Sequence, residues 1–254
     1  MSLSLSRRGL FRLTAAAACP LCATAGAAGA VPHWGYEGAE GPAKWGEMSA
    51  EFKSCSIGTE QTPIDLRGSI KAQTGPVAIA YQKMPLTILN NGHTIQVNTP
   101  AGSKLDIGGT SYDLLQFHFH HPSEHLLAGK AFDLEAHFVH KSANGGLAVV
   151  GVFIQPGAAN PGLTPIWAAM PAKAAPPSEV AGVTIEPGKL LPKERGYFRY
   201  MGSLTTPPCS EGLTWTVFRS PIQASPEQIR AFAALFPMNA RPLQPLNRRF
   251  LLEG

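Results

Sequence analysis

The chain has 254 residues, with 21 Lys and Arg against 17 Asp and Glu, and its formal net charge of +4 is small for this length. Three of the basic residues, Arg7, Arg8 and Arg12, lie among the first thirty residues, which contain no acidic residue. The remaining 224 residues are therefore almost neutral, which argues against a surface that binds nucleic acid. No apolar run after residue 30 is long enough for a membrane helix.

The first thirty residues are organised like a secretory signal peptide. An apolar, alanine-rich run over residues 13–30 follows the arginines and ends in the A-x-A sequence Ala28-Gly29-Ala30. We expect cleavage after Ala30 and export to the periplasm or the medium, with no membrane contact afterwards. The pair Arg7-Arg8 also resembles a twin-arginine export signal, and an ordinary Sec signal is the alternative.

Residues 31–254 are expected to form one mostly β domain of the α+β class. No linker or internal repeat divides them, and the Pro- and Ala-rich stretch 171–177 is interpreted as a loop. Short apolar and β-branched segments alternate with turn sequences such as Asn91-Gly92. The pattern indicates a large sheet but leaves the order of its strands open. The predicted strands cover residues 77–81, 86–90, 94–98, 111–121, 131–141, 147–155 and 213–219.

Two short helices are predicted at the periphery of this sheet. Ser225-Pro226-Glu227-Gln228 is a capping box with Pro at the first helical position. It opens a helix over residues 227–236 that carries one apolar stripe. Thr164-Pro165 opens a second helix around residues 166–170.

Two cysteines, Cys55 and Cys209, remain after removal of the leader. A pair of cysteines in an exported protein is expected to form one disulfide, which would here close a long loop. Two free, buried thiols are the alternative.

Six of the eight histidines follow one another closely in the middle of the chain, and five of these six lie on two predicted strands. Alternate residues of a strand point to the same side, so His118 and His120 share one face. If the two strands pair antiparallel, His137 joins them, and three imidazoles are the ligand set of a catalytic zinc site with a fourth position for water. Gln116 and Glu135 each precede a histidine by two residues and can orient its far ring nitrogen. For each histidine, the alternative is a core residue bonded to a backbone carbonyl.

Several further motifs occur in order along residues 31–254. They are His33-Trp34-Gly35-Tyr36, Thr62-Pro63-Ile64-Asp65, Asn90-Asn91-Gly92-His93, Gln116-Phe117-His118-Phe119-His120, Ser123-Glu124-His125, Glu135-Ala136-His137-Phe138-Val139-His140, Ser203-Leu204-Thr205-Thr206-Pro207-Pro208 and Arg241-Pro242-Leu243-Gln244-Pro245-Leu246-Asn247. Together these motifs resemble the α-class carbonic anhydrases over nearly all of the exported chain. The leader and the cysteine pair resemble those of a bacterial, exported member.

The resemblance implies a single domain on a large, twisted, predominantly antiparallel sheet. It also implies Zn²⁺ as the cofactor, and reversible hydration of carbon dioxide to bicarbonate and a proton. By resemblance, His118, His120 and His137 are the zinc ligands, and a backbone carbonyl near Asn239 is the partner of His120. Bacterial relatives include dimers, which leaves a homodimer open for this chain.

Catalytic roles are implied in the same way. Zinc-bound hydroxide would attack the carbon of carbon dioxide, while Thr205 accepts a hydrogen bond from that hydroxide and donates its own proton to an ionised Glu124. His93 stands at the position of the proton shuttle, a role that suits an imidazole near neutral pH. Tyr36, Asn91 and Gln96 would order the connecting water. Substrate contacts are implied for Val139, Val149, Leu204, Thr205, Thr206, Leu213 and Trp215.

Plainer interpretations exist for these residues. Thr205 and His93 could each be an ordinary turn residue, Glu124 could be a surface carboxylate, and the apolar residues could be core packing. A different zinc hydrolase, such as an esterase, could use the same site, and a non-catalytic binding module is a third alternative.

The remaining histidines are expected to lie outside the chemistry. His125 and His140 are interpreted as structural, with Tyr200 as the partner of His125. His121 stands where the family commonly has an aromatic residue, so it is either a surface residue or part of another metal site. The loop at Pro122-Ser123 is short compared with that of animal members, which would widen the cleft.

Overall fold

The computed structural model describes residues 32–254, in which strands make up most of the regular structure. The predicted leader, with its cleavage site after Ala30, lies outside the described residues. The strands are β1 (Asp65–Leu66), β2 (Ile70–Lys71), β3 (Val77–Ala80), β4 (Met84–Asn90), β5 (Ile95–Asn98), β6 (Lys104–Ile107), β7 (Thr110–His120), β8 (Leu126–Leu127), β9 (Leu134–Ser142), β10 (Leu147–Pro156), β11 (Ala175–Ile185), β12 (Tyr197–Ser203), β13 (Glu211–Phe218), β14 (Ile222–Ala224) and β15 (Leu252–Glu253). The helices are α1 (Trp45–Met48), α2 (Ser54–Ile57), α3 (Thr164–Ala168) and α4 (Pro226–Ala233), with 3₁₀ turns at Gly38–Glu40, Ala50–Phe52 and Pro187–Leu190.

Thirteen of these strands form one sheet. Its order is β11-β4-β5-β7-β9-β10-β13-β12-β15-β2, while β6 pairs with β7 and β3, and β14 pairs with β10. Its neighbours run antiparallel except at β10–β13, β10–β14 and β15–β2. The strands β1 and β8 form a separate parallel pair. The predicted large, predominantly antiparallel sheet is therefore confirmed.

The centre of the sheet is buried on both faces because its strands are apolar on both faces. On β10, Ala148, Val150 and Val152 enter one core cluster, which also contains Phe117 and Phe138. The alternate residues of the same strand, including Val149 and Phe153, enter a second cluster with Trp215. This two-residue period makes β10 a shared wall between two cores.

The seven predicted strands are all present, with ends shifted by a few residues. The expected loop over residues 171–177 is partly wrong, because the long strand β11 begins at Ala175. It contains Pro176 and Pro177, which would interrupt a central strand. It lies at the edge of the sheet and pairs only with β4, where a missing backbone N–H is tolerated.

The helix α4 begins with the predicted capping box. The Ser225 hydroxyl accepts a hydrogen bond from the Gln228 N–H, and the Gln228 side chain accepts one from the Ser225 N–H. The helix ends at Ala233, three residues before the expected end. Ile229 and Phe232 pack into the first core cluster, which holds the helix on the sheet. None of the helices in residues 32–254 has the length and apolar character of a membrane span.

The predicted disulfide between Cys55 and Cys209 is present, across 154 positions of sequence. It ties α2 to the loop that follows Thr205 and Thr206. The carbonyl of Cys209 also accepts a hydrogen bond of 3.0 Å from Gln61 Nε2. This loop is thus fixed from two sides.

His140, on β9, is fully buried, and its ring has two hydrogen-bond partners. Its Nε2 lies 2.8 Å from the Tyr81 hydroxyl, and its Nδ1 lies 3.2 Å from the carbonyl oxygen of Ala148. Burial lowers the pKa of His140 from 6.5 to about 4. These contacts agree with the structural role expected for it.

The substitution His140→Gln should flatten the dependence of stability on pH. The unfolded chain takes up a proton at this residue near pH 6.5, whereas the folded chain does so only near pH 4. Between these values the unfolded state binds more protons, so the free energy of unfolding decreases as the pH falls. One proton corresponds to about 1.4 kcal/mol per pH unit, and the slope of the variant should be smaller by about 1 kcal/mol per pH unit. Urea denaturation at several pH values measures both slopes, and equal slopes would contradict the assignment.

Candidate metal centre

Three histidines converge because β7 and β9 pair antiparallel. His118 lies directly opposite His137 in the ladder, and His120 follows two residues later on the same face. One ring nitrogen from each of the three lies within 4.8 Å of the others. The ring centroids of His120 and His137 are 4.5 Å apart. This is the convergence that the strand alternation predicted.

The other ring nitrogen of each histidine is occupied by a hydrogen bond. His118 Nδ1 lies 2.8 Å from Gln116 Oε1, and His137 Nε2 lies 2.8 Å from Glu135 Oε1. His120 Nδ1 lies 2.8 Å from the carbonyl oxygen of Asn239. Each of these oxygens accepts an N–H, which fixes the tautomer. The lone pairs of Nε2 in His118 and His120 and of Nδ1 in His137 are thus left for a ligand.

This nitrogen set fits a zinc ion. Three neutral imidazoles with a fourth position for water are a common ligand set of catalytic zinc sites. Burial lowers the pKa of His118 well below its ordinary value, and it also lowers the pKa of His120, so both rings stay neutral. His120 Nε2 is buried and has no hydrogen-bond partner among residues 32–254. A buried nitrogen of this kind costs free energy unless a metal or a hydrogen bond occupies it.

Glu135 bridges His137 and His125 by hydrogen bonds. Its carboxylate accepts hydrogen bonds from His137 Nε2 at 2.8 Å, from His125 Nδ1 at 2.7 Å and from the His125 N–H at 2.9 Å. Burial opposes its ionisation, but the electrostatic attraction and hydrogen bonds of His125 and His137 hold the pKa of Glu135 well below its ordinary value. The Tyr200 hydroxyl lies 2.7 Å from His125 Nε2, as expected. Gly151, opposite His137, leaves the space for this carboxylate, because a Cβ there would lie 3.1 Å from Glu135 Oε1.

Glu124 is buried beside the same nitrogens and is not a surface carboxylate. Its Oε1 accepts a hydrogen bond of 2.8 Å from the N–H of Arg241. Its Oε2 lies 3.6 Å from His120 Nε2 and 3.7 Å from His137 Nδ1. Thr205 is also buried, but the hydrogen bonds of residues 32–254 do not include the expected one between its hydroxyl and Glu124. Glu124 Oε2 instead faces the histidine nitrogens.

A small cavity of about 110 Å³ leads from the histidine cluster to the surface. Its walls include His118 and His120 together with the four residues expected along the proton path. These four are Tyr36, Asn91, His93 and Gln96. Asn91 Nδ2 donates a hydrogen bond of 3.5 Å to Gln96 Oε1. Burial raises the pKa of Tyr36 well above 10, and the charge of Glu124 adds to this, so the phenol stays protonated.

His93 lines this cavity and is half-buried. Its ring stacks on Trp34 with the centroids 3.7 Å apart, and the ring of His33 lies 6.1 Å away. Partial burial lowers the pKa of His93, and the nearby charge of His33 lowers it further. The imidazole therefore holds its proton weakly, which favours release to the solvent.

The comparisons with known proteins agree with the geometry. The family model described as eukaryotic-type carbonic anhydrase matches residues 40–253. The chain belongs to the α-class carbonic anhydrases. It is 44% identical to a carbonic anhydrase of Nostoc sp., over 100% of both chains, and 45% identical to one of Pectobacterium carotovorum, over 95% of this chain and 99% of the relative. The solved α-carbonic anhydrase of Thermovibrio ammonificans, in complex with the inhibitor sulfanilamide, superposes with a TM-score of 0.84 at 44% identity, over 87% of this chain and 98% of that one. Family membership supports the hydration of carbon dioxide, with carbon dioxide and bicarbonate as small-molecule substrates.

The apolar residues expected to form the carbon dioxide wall belong to one cluster, and Trp215 in this cluster lies next to His137. Val149, Leu213 and Trp215 are buried in the second core cluster, and Val139 and Leu204 pack against it. The rings of Trp215 and His137 are 4.8 Å apart. Thr206 lines the small cavity instead.

The ring of His121 is bonded to a backbone carbonyl. Within residues 32–254 of this carbonic anhydrase, His121 does not belong to a group that could hold a metal ion. Its Nδ1 lies 2.9 Å from the carbonyl oxygen of Pro237, and its N–H donates a hydrogen bond of 2.7 Å to Asn239 Oδ1. The groups of residues 32–254 that could hold a metal do not include it. The alternative of a second metal site at His121 therefore finds no support.

Two sets of contacts that position the site were not predicted from the sequence. The backbone of Arg241 holds Glu124, and its guanidinium donates to the carbonyls of Thr62 and Cys55. The side chain of Asn239 donates to the carbonyl oxygens of His93 and Phe119. Arg241 belongs to a motif that resembles the family, so this motif was the available signal.

Proposed function

We propose that the chain catalyses the zinc-dependent, reversible hydration of carbon dioxide, with His118, His120 and His137 as the zinc ligands. The observation that carries this proposal is the orientation of the three rings. Each has one nitrogen bonded to protein and the other directed at a common point. Zinc held there would lower the pKa of a coordinated water and so supply a nucleophile near neutral pH.

The protein groups around the histidines would hold the ligands and orient the attacking oxygen. Gln116, Glu135 and the Asn239 carbonyl keep the rings in the tautomers that bind a cation. We assign Thr205 as the acceptor of a hydrogen bond from the attacking oxygen, with Glu124 as the acceptor of the Thr205 proton. Glu124 Oε2 is buried and has no hydrogen-bond partner among residues 32–254, so it has the capacity to accept this proton.

The apolar wall would hold the substrate and exclude water. Carbon dioxide is small and has no net dipole, so it can bind to an apolar surface. Water binds such a surface weakly and is easily displaced from it. Val139, Val149 and Trp215 provide such a surface beside His137. Leu204, Leu213 and the hydroxyl of Thr206 complete the proposed substrate contacts.

Release of a proton would then pass through the small cavity. We assign His93 as the group that takes this proton from ordered water and delivers it to the solvent. Tyr36, Asn91 and Gln96 line the cavity and can order that water. The lowered pKa of His93 favours delivery over retention.

The variant His93→Ala should slow turnover in dilute buffer by about tenfold or more, since a positioned proton-transfer group contributes on the order of 10²-fold or more. The ratio kcat/KM should change little, because attack on carbon dioxide precedes proton release. Added imidazole should restore much of kcat by replacing the missing side chain. Stopped-flow assays at several buffer concentrations measure this, and a variant with normal kcat in dilute buffer would refute the shuttle.

The activity itself is tested by stopped-flow hydration of carbon dioxide, together with metal analysis of the same sample. We expect about one zinc per chain and an activity that is lost on chelation and regained with zinc. A sample with one zinc per chain that fails to hydrate carbon dioxide would refute the proposal. If it hydrolysed an activated ester instead, the alternative zinc hydrolase would be supported.

We also infer that the protein is exported. The leader-like sequence before residue 31 and the disulfide between Cys55 and Cys209 support this inference. Fractionation of cells that express the full chain, with N-terminal sequencing, should give a periplasmic or secreted protein that begins at Val31. Recovery of the uncleaved chain from the cytoplasm would contradict it.

A further inference from the structure

A second cavity of about 850 Å³ has none of the three proposed zinc ligands in its lining. It is formed by β12, β15 and the connecting residues 247–250, together with Thr59 and Glu60. It shares no lining residue with the small cavity at the ligands. Its volume is within the range of roughly 300–1,000 Å³ that small-molecule sites occupy.

One part of this cavity is apolar. Tyr200, Met201, Phe250 and Leu252 line it. Phe250 is 71% exposed and Met201 is 43% exposed, which are high values for large apolar side chains. Adjacent exposed apolar residues beside a cavity are typical of a surface that binds a ligand. An apolar body placed here would remove both side chains from water.

The other part of the cavity is cationic. Arg199, Arg248 and Arg249 line it, against Glu60 as the acidic residue of the lining. Burial lowers the pKa of Arg199 and of Arg249. Arg199 Nη2 is buried and has no hydrogen-bond partner among residues 32–254.

The three arginines differ in how many hydrogen bonds their guanidinium groups make within the protein. Arg249 donates to the carbonyls of Leu246, Met201 and Pro245, so it is held in place. Arg248 is exposed, and the hydrogen bonds and ion pairs of the described residues do not include its guanidinium. Its planar donor fork is therefore available for an oxyanion.

We propose that this cavity binds a small organic anion with an apolar body, such as an aryl or alkyl carboxylate or sulfonate. The anionic group pairs with Arg248, near the field of Arg199 and Arg249. The apolar body covers Met201 and Phe250. This site is separate from the proposed chemistry at the histidines and does not depend on it.

The test is a fluorescence titration of the zinc-loaded protein with two matched probes. Anilinonaphthalene sulfonate carries an anionic group on an apolar body, and N-phenyl-naphthylamine is the same body without the charge. We expect one sulfonate probe per chain, bound at least about tenfold more tightly than the neutral probe, since a charge-assisted hydrogen bond is worth roughly that much. Saturating sulfanilamide, which is an inhibitor of the Thermovibrio ammonificans relative, should leave the binding unchanged.

Two variants separate the charge from the apolar contact. Arg248→Gln should weaken the sulfonate probe about tenfold and leave the neutral probe within about twofold. Phe250→Ala should weaken both probes about fivefold, because it removes apolar contact area. The matched controls Arg230→Gln on α4 and Leu115→Ala on β7 change an exposed arginine and an exposed apolar residue elsewhere, and both should bind as the wild type does.

Three results would overturn the proposal. One is equal affinity for the two probes, or an affinity that Arg248→Gln leaves unchanged. Another is displacement of the sulfonate probe by sulfanilamide, which would place it at the histidines. A third is a decrease in molecular mass for Phe250→Ala in light scattering, which would mean that a second copy of the chain covers this cavity. Arg248 makes no hydrogen bond within residues 32–254, so Arg248→Gln is expected to fold normally, and its melting temperature checks this.

Discussion

His118→Ala should lose its metal and nearly all of its carbon dioxide hydration. Zinc sites in proteins bind with about 10–16 kcal/mol, which is roughly 2.5–4 kcal/mol for each of four ligands. Loss of one ligand should therefore weaken zinc binding by about two to three orders of magnitude. Zinc content after dialysis against a weak chelator and stopped-flow activity of the same sample measure the two effects together. An active variant that retains one zinc per chain would refute the ligand assignment.

The matched control is His121→Ala. His121 lies one residue beyond the ligand His120, but its Nδ1 faces the carbonyl oxygen of Pro237. It should therefore keep its zinc and most of its activity. Gln116→Leu should fall between the two, with zinc affinity lower by about 10–100-fold, because His118 keeps its nitrogen and loses the hydrogen bond that orients it. This graded series separates binding of the metal from orientation of a ligand.

The convergence of the three proposed ligands could be predicted because it depends on local rules. A strand alternates its side chains with a period of two, and this period is visible in the residues around His118 and His137. Antiparallel pairing of two neighbouring strands then brings them opposite each other, as the ladder does. The capping box at Ser225 was predictable for the same reason, since all its hydrogen bonds lie within four residues.

The contacts that hold the site could not be predicted from such patterns because they join distant parts of the chain. The carbonyl of Asn239 reaches His120 across 119 positions, and the N–H of Arg241 reaches Glu124 across 117. A backbone group carries no sequence signal of its own. Asn239 was expected as a partner of His120 only through the resemblance to a known family.

The order of the strands was also beyond the sequence pattern. Alternation is the same whether β10 has β9 and β13 or two other strands as neighbours. The strand β11 was interpreted in part as a loop because its prolines lower the propensity for a strand. Its position at the edge removes that penalty, and the position is a property of the whole sheet.

Thr205→Val should reduce kcat/KM for carbon dioxide by roughly 10²-fold, because loss of one hydrogen-bonding group at a reacting centre costs about 10²–10³. Valine has nearly the volume of threonine, and Thr205 is buried, so the change removes the hydroxyl and little else. Zinc content should stay at one per chain. Thr214→Val, on β13, is the matched control and should be nearly as active as the wild type.

Comparison of Thr205→Val with Glu124→Gln and the double variant decides whether Thr205 and Glu124 act together. If Thr205 donates its proton to Glu124 Oε2, then Glu124→Gln should cost about as much as Thr205→Val, since an amide nitrogen donates where a carboxylate oxygen accepts. The double variant should then lose little more than either single variant, because both changes break one chain of hydrogen bonds. Multiplied losses in the double variant would show that the two side chains act independently. A Thr205→Val enzyme within about threefold of the wild type would exclude Thr205 from orienting the attacking oxygen, and Glu124 would then serve the histidine nitrogens that its Oε2 already faces.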